Sequence, residues 1–489
     1  MRFGWEGSKP AASLEATLEL WSTTLRQAKR RIRSLFAASS VAASANAFLD
    51  GLLGAERRKT GWMRAETAGD PGPWRQQAIL GRSHWDADTL RDVVRDYVVE
   101  TLAAPDAVLV IDETGFLKQG NASCGVGRQY TGSAGKITNC QIGVFAAYVS
   151  NKGHAFIDRA LYLPKAWTGD PARMRSAHVP EGTTFATKPQ LALGMVERAI
   201  RAGVPFGWVT ADSVYGVGDI ELALRRASKS YVLGVTGQHS FWSWSAEVDV
   251  SGTAEEIAKA LVEEDWVRLS AGAGTKGPRL FDWAYLELAT LSADALDPAL
   301  DLSLWTRGLL VRRSLSDGAL SYFTTWCPAG TPIQTLVTVE GRRWTIEDAF
   351  ETAKTELGLA HNESRSWHGW HRHVSLVMLA FAMLARVRQL ANGPPPKTAL
   401  IAKLTGTLVD AGDPARGGPA GATAHCASPH PGLVRLAPRP SGRRTTSSPQ
   451  TPSATVMIGP GPTDRPWPGS CFQSWFRPAG NRRLGLAAE

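Results

Sequence analysis

Three acidic side chains, Asp112, Asp212 and Glu347, stand where they could work together: two follow short apolar runs and one lies on the edge of a late helical stretch. Carboxylates that converge without basic partners repel one another and need divalent cations, and oxygen-only ligation suits Mg²⁺ or Mn²⁺. Two such ions about 3.5–4 Å apart can activate an attacking oxygen and stabilise a leaving one in an in-line displacement at phosphorus. The chemistry open to this set is phosphodiester cleavage or transfer. An aspartate at a strand end is also a common cap or turn former, so neither one specifies that chemistry alone.

The elements that must position these acids follow from the hydrophobic pattern. Ala107-Val108-Leu109-Val110-Ile111 reads as a central strand buried on both faces that ends at Asp112, and Phe206–Thr210 as a second apolar strand running into Asp212. In an open α/β sheet, side chains at strand ends project into the crevice where ligands bind. A helix is predicted over Thr345–Leu357. On it Arg343, Glu347, Glu351 and Lys354 fall within about 80° of one another, beside an apolar face of Ile346, Ala349, Phe350, Ala353 and Leu357. The alternative use of those charges is intrahelical pairing, Arg343 with Glu347 and Glu351 with Lys354, worth only about 0.2–0.5 kcal/mol each.

Around these elements the pattern is that of an α/β protein. Gln141–Val149 and Ala155–Leu163 read as strands joined by a turn at Asn151-Lys152-Gly153, Gln190–Ala202 and Asp219–Ala227 as helices, and Tyr231–Val235 as a strand. Strands that first meander and then alternate with helices imply a mixed sheet covered on both sides. Leu14–Leu53 has helical periodicity and carries a basic cluster, Arg26, Lys29, Arg30, Arg31 and Arg33, which is either a solvated face or a nucleic-acid contact. A second helical run follows Ser83, with Asp86 and Asp88 near its start. Val374–Leu390 is apolar nearly all round and reads as a buried helix.

The chain thus divides into a helical N-terminal region (1–103), the first part of the core (104–237), a β-rich insertion with six tryptophans (238–340), a helical part of the core with the third acid (341–392) and a tail (393–489). Sixteen of the 29 prolines fall in that tail, mixed with Gly, Ser, Thr and Arg, so it reads as disordered or as a frameshifted end of the reading frame. The tail also holds eleven Lys/Arg against four Asp/Glu, most of the net charge of +9, so the global charge says little about the folded part. Five cysteines without a C-x-x-C pair suggest neither a disulfide framework nor a zinc ribbon. His154, His178, His361 and His368 lack metal-ligand spacing and read as structural, and Trp242 and Trp244 as packing residues or as platforms for a base. No run approaches the roughly 18 consecutive apolar residues of a spanning helix, and the N-terminus lacks a secretory pattern, so the cytoplasm is the expected compartment.

Several blocks resemble the DDE transposases of bacterial insertion sequences, most closely the family named for insertion sequence 701. They are Val108-Leu-Val-Ile-Asp112-Glu-Thr-Gly-Phe, Gly127-Arg-Gln-Tyr-Thr-Gly-Ser-Ala-Gly-Lys-Ile-Thr-Asn-Cys-Gln-Ile-Gly-Val, Ala160-Leu-Tyr-Leu-Pro-Lys-Ala-Trp, Phe185-Ala-Thr-Lys-Pro-Gln-Leu-Ala and Trp208-Val-Thr-Ala-Asp212-Ser-Val-Tyr-Gly. A related superfamily carries a Tyr-x₂-Arg-x₃-Glu-x₆-Lys signature. Arg343, Glu347 and Lys354 fit its last three positions, while Glu340 stands where the tyrosine would be. The resemblance implies a ribonuclease-H-like catalytic core with a β-rich insertion, an N-terminal DNA-binding region, and Asp112, Asp212 and Glu347 as both the catalytic residues and the ligands of two Mg²⁺ or Mn²⁺ ions. It further implies that the chain cuts at transposon ends and joins the 3′-hydroxyl to target DNA, as a homodimer on double-stranded DNA in the bacterial nucleoid. Arg343 and Lys354 become the expected DNA contacts, followed by Arg128, Lys136, Lys165, Arg30 and Arg31. A ribonuclease-H-like nuclease without strand transfer, or an inactive DNA-binding remnant, would share these blocks.

Overall fold

The computed structural model describes residues 14–216, 218–242, 250–274, 277–288 and 304–392; the tail from residue 393 and Trp244 lie outside them. Among the described residues five helices come first: α1 (Leu14–Arg31), α2 (Ser39–Leu53), α3 (Gly61–Thr67), α4 (Trp74–Gly81) and α5 (Ala87–Leu102). The run expected over Leu14–Leu53 is broken between Ile32 and Ala38, where Arg33 donates to Phe36 O at 2.7 Å. Ile32 and Phe36 are both buried, so the break turns the chain without losing their contacts. At α5 the start signal is explicit: the Asp86 carboxylate accepts from the backbone N–H groups of Asp88 and Thr89, both at 3.0 Å. The short helices α3 and α4 had no legible period in the sequence.

The sheet begins with β1 (Val108–Leu117), β2 (Gly127–Thr131), β3 (Lys136–Ser150) and β4 (Gly153–Tyr162). After α6 (Lys165–Thr168), α7 (Pro171–Ser176) and α8 (Lys188–Arg201) come β5 (Trp208–Ala211), α9 (Gly218–Arg226) and β6 (Ser230–Val235). β3 is antiparallel to β1 and β4, while β1, β5 and β6 are mutually parallel neighbours. The order β4–β3–β1–β5–β6 is that of a ribonuclease-H-like core, as expected. Val108, Leu109, Val110 and Ile111 are each 0% exposed, so both faces of the sheet are covered at β1.

The next stretch contains β7 (Ser240–Trp242), β8 (Ser251–Thr253), α10 (Ala254–Lys259), β9 (Val267–Gly274), β10 (Gly277–Leu288), β11 (Trp305–Arg313) and β12 (Leu320–Pro328). β12 pairs antiparallel with the free side of β6, and β11, β10 and β9 follow outward, so the β-rich stretch lengthens the core sheet to ten strands among the described residues. Strands β7 and β8 pair separately, over a small core that includes Phe241, Ile257 and Leu309. Trp283 and Trp326 are buried, and Trp305 stacks on Trp326 at 5.5 Å, which accounts for half of the tryptophans as packing.

Three helices end the described chain: α11 (Ile333–Arg342), α12 (Trp344–Thr355) and α13 (Trp367–Asn392). α13 packs against α1, α2, α4, α5 and β4. By length and composition it could cross a membrane, but it is mostly buried inside the protein. It begins before the expected Val374 because its first polar residues are satisfied internally: Arg372 donates to Trp85 O at 2.8 Å, and His373 Nε2 lies 3.0 Å from Gly358 O. Such residues break an apolar period without breaking a helix.

Candidate active site

Asp112 does not end its strand, as the apolar run had suggested. It is the fifth of ten residues in β1, because Thr114, Gly115 and Phe116 continue to be buried and β3 pairs with β1 as far as Leu117. The parallel neighbour β5 does stop. Its last pair with β1 is Ile111 with Ala211, so Asp112 and Asp212 are the next residues on two adjacent parallel strands. Asp212 Oδ1 accepts from Val214 N at 2.9 Å and Asp112 Oδ1 from Glu113 N at 2.7 Å, which orients both carboxylates. The next strand comes close: a Cβ on Gly234 of β6 would lie 2.8 Å from Ser213 N and 2.9 Å from the Asp212 carbonyl carbon. Glycine is needed there for β6 to reach the Asp212 turn.

Both aspartates are harder to ionise than a free carboxyl. Burial pushes the Asp112 carboxyl up to about 7, Asp212 and Glu113 add to the rise, and the Glu113 N–H and Arg343 oppose it. Asp212 is raised by burial and by Glu113, against the Val214 N–H, Arg343 and Lys188. A crevice that crowds negative charge in this way favours a bound cation.

Glu347 lies in the first turn of α12, and its side chain is 40% exposed. Burial raises its pKa, with Arg343 as the main opposing charge. Arg343, at the joint of α11 and α12, is 3.5 Å from Glu347 Oε1, so the first of the two intrahelical pairs is formed. The second is not. Glu351 is exposed, and Lys354 donates to Thr114 Oγ1 (2.7 Å), Gly115 O (3.1 Å) and Ser133 Oγ (2.8 Å), with burial lowering its pKa to about 8. Lys354 therefore fastens α12 to β1 two residues beyond Asp112. Glu340, at the signature's tyrosine position, is 2% exposed and bonded to Arg312 at 3.0 Å, so this position faces the interior.

The structure thus brings Asp112 and Asp212 together and turns Glu347 toward Arg343, whose charge also acts on both aspartates. Among the described residues no three His, Cys, Asp or Glu side chains converge closely enough to hold a metal. The donor chemistry nevertheless fits hard divalent cations: two adjacent carboxylates whose acidity is suppressed, with a third carboxylate on a helix fastened to the same strand.

The remaining expected DNA contacts are spread out. Arg128 and Lys136 are exposed on β2 and β3; Lys165 is exposed at the start of α6, its ammonium 5.2 Å from the Phe185 ring. Arg30 is exposed on α1, whereas Arg31 is bonded to Glu100 at 2.9 Å and lies over Tyr97, and Lys29 is bonded to Asp50 at 2.7 Å. Part of the basic cluster therefore braces the helices. Trp242 is exposed on β7.

Three residues of this crevice escaped the sequence reading. The Glu113 carboxylate accepts from the Lys188 ammonium at the start of α8 and from the hydroxyl of Tyr215, which is fully buried in the turn after Asp212. Burial and the neighbouring Glu113, Asp112 and Asp212 hold the Tyr215 hydroxyl protonated. All three residues sit inside the motif blocks, and continuing the strand past Ile111 would have singled out Glu113.

A family model described as DDE superfamily endonuclease matches residues 33–254, a span that holds Asp112 and Asp212 and stops before Glu347. The chain is 28% identical over 163 residues to a protein of Microchaete diplosiphon described as a probable transposase for insertion sequence element IS701. That alignment covers 33% of this chain and 40% of the relative, so it spans about two fifths of the relative's length. A cryo-EM structure of a piggyBac transposase synaptic complex with hairpin DNA aligns over 80% of this chain and 82% of its own, at 11% identity and a TM-score of 0.33. By sequence, this chain is similar to DDE superfamily endonucleases over residues 33–254 and to an insertion-sequence transposase over a third of its length.

Proposed function

We propose that the chain is a DDE-type DNA transposase that cuts at the ends of its insertion sequence and joins the freed 3′-hydroxyl to target DNA. The observation that carries this reading is the register of β1 and β5, which leaves Asp112 and Asp212 side by side beyond Ile111 and Ala211. Asp112, Asp212 and Glu347 would hold two Mg²⁺ or Mn²⁺ ions, with Glu347 moving off Arg343 to join the aspartates. When bound, such ions supply the charge that activates an attacking oxygen and stabilises a leaving one. Arg343, once released from Glu347, holds a phosphate beside the scissile bond, and Lys354 keeps α12 aligned on β1. Pairs of terminal inverted repeats require the chain to act as a homodimer on double-stranded DNA, reached through its exposed cations.

The test is to incubate the purified chain with a duplex of the DNA bordering its gene, a target plasmid and Mg²⁺ or Mn²⁺. Joined products are expected, and Asp112→Asn, Asp212→Asn and Glu347→Gln should each reduce them roughly 10²-fold or more. Chelation should abolish them. Products that survive chelation, or aspartate variants that remain active, overturn the reading. Cleavage without joining would identify a nuclease, and end binding without cleavage an inactive remnant.

A further inference from the structure

The β2–β3 hairpin is pinned by its inner face to the strand that carries Asp112. Ser133, at its tip, accepts from Lys354, and Thr131 is buried over Gly115, where a Cβ would come 2.0 Å from Thr131 Oγ1. The outer face has a different composition. Along β2, Arg128 and Tyr130 are exposed and alternate with the inward Gln129 and Thr131, and Tyr130 is paired across the ladder with Ile137. Tyr130 is 63% and Ile137 60% exposed, so an aromatic and a β-branched residue stand side by side in solvent. Leu117, where β1 ends, is exposed as well.

Charge identifies the partner. The hairpin itself, residues 127–140, contains Arg128 and Lys136, both exposed, and no Asp or Glu. A hairpin with two exposed cations, no acid of its own and a flat apolar pair suits a polyanion that also offers planar apolar faces, which is DNA. We propose that this hairpin is a wedge for the DNA beside the cleavage site. Tyr130, backed by Ile137, stacks on a base at an opened step, and Arg128 and Lys136 hold the phosphates on either side. The proposal rests on the transposase reading and adds the place where the duplex is opened.

The test uses the full chain and a duplex of the gene-bordering DNA with 2-aminopurine placed at successive positions around the cut, in Ca²⁺. The unaltered chain should brighten the probe at one step. Tyr130→Ala combined with Ile137→Ser should abolish that signal and weaken binding about tenfold or more, while Tyr130→Phe keeps both. Arg128→Ala and Lys136→Ala should each lower the slope of log affinity against log salt by about one and leave the signal in place. Both substituted side chains of the double variant are exposed, and an unchanged thermal midpoint will show that it folds. If the double variant brightens the probe and binds as the parent does, the wedge is wrong while the transposase reading stands. If the parent binds no DNA, both fall. If the double variant only loses self-association in the absence of DNA, the hairpin is instead a contact between copies of the chain.

Discussion

Glu113 joins the two aspartate-bearing strands, because its carboxylate is held by Lys188 from α8 and by Tyr215 from the turn after Asp212. With Lys188 and Glu113 side chains only 24% and 19% exposed, removing the ammonium leaves a poorly solvated carboxylate beside Asp112 and Asp212. Lys188→Met is therefore expected to cost about 2–3 kcal/mol, below the value for fully buried pairs because some water reaches this one. Arg31→Met, at the more exposed Arg31–Glu100 bridge on the molecular surface, should cost about 1 kcal/mol or less. Urea denaturation of both variants compares them directly, and equal losses would show that Glu113 is better solvated than its contacts imply. At this scale the sequence was half legible. Asp112 and Asp212 stood out because apolar runs precede them, whereas Glu113 and Tyr215 act through partners that only the folded chain supplies.

Among the elements, the parallel set β1, β5 and β6 sets the spacing of the acids, and its tolerance is tested at Gly234. Gly234→Ala brings a methyl carbon against backbone atoms of Asp212 and Ser213, none of which can rotate away. The Asp212 turn must then shift by some tenths of an ångström, and a DNA-cleavage rate that depends on two aligned carboxylates should drop at least about tenfold. Gly81→Ala, at the end of α4 with nothing within 4 Å of the added carbon, should cleave normally and gain up to about 1 kcal/mol of stability. Normal cleavage by Gly234→Ala would mean that the Asp212 turn is looser than its packing. Strands β1, β4, β5 and β6 and most of β3 were readable from their apolar runs, α8, α9, α12 and α13 from their periods, and α5 from its Asp86 cap, whereas β2 and α11 were not. What the sequence hid were features defined by pairing, the extension of β1 beyond Asp112 and the attachment of β12 to β6, and the helices α3 and α4, too short to show a period. A period of two reports which face is buried but not which strand lies alongside.

Across the whole molecule, the buried His371 and His373 and the partly exposed His154 link stability to pH. His154 is pushed down to about 4, and His371 and His373 to about 3, in each case chiefly by burial. All three are neutral in the folded chain at neutral pH. As the pH falls below about 6.5, the unfolded chain takes up protons that the folded chain refuses, and stability is lost at up to about 1.4 kcal/mol per pH unit for each histidine. Asp112, raised to about 7, acts in the opposite sense over this window, and Asp212 and Glu347 are shifted the same way, while His239, His361 and His368 are lowered by burial and add to the histidine side. The urea midpoint should therefore drop between pH 7 and pH 5, and His154→Phe, beside Phe381 at 5.7 Å, should reduce the histidine slope. A midpoint that is flat or rises over that interval would rule this linkage out.

The placement of α13 also bears on how the chain is made. Helices α1, α2, α4 and α5 bury apolar faces against a helix whose sequence begins at Trp367, so every strand of the sheet is made between them and this cover. During synthesis these helices emerge before α13, and the faces that it buries stay open until it has left the ribosome. A ribosome that terminates early would release a chain with an open core, a substrate for chaperones and proteases.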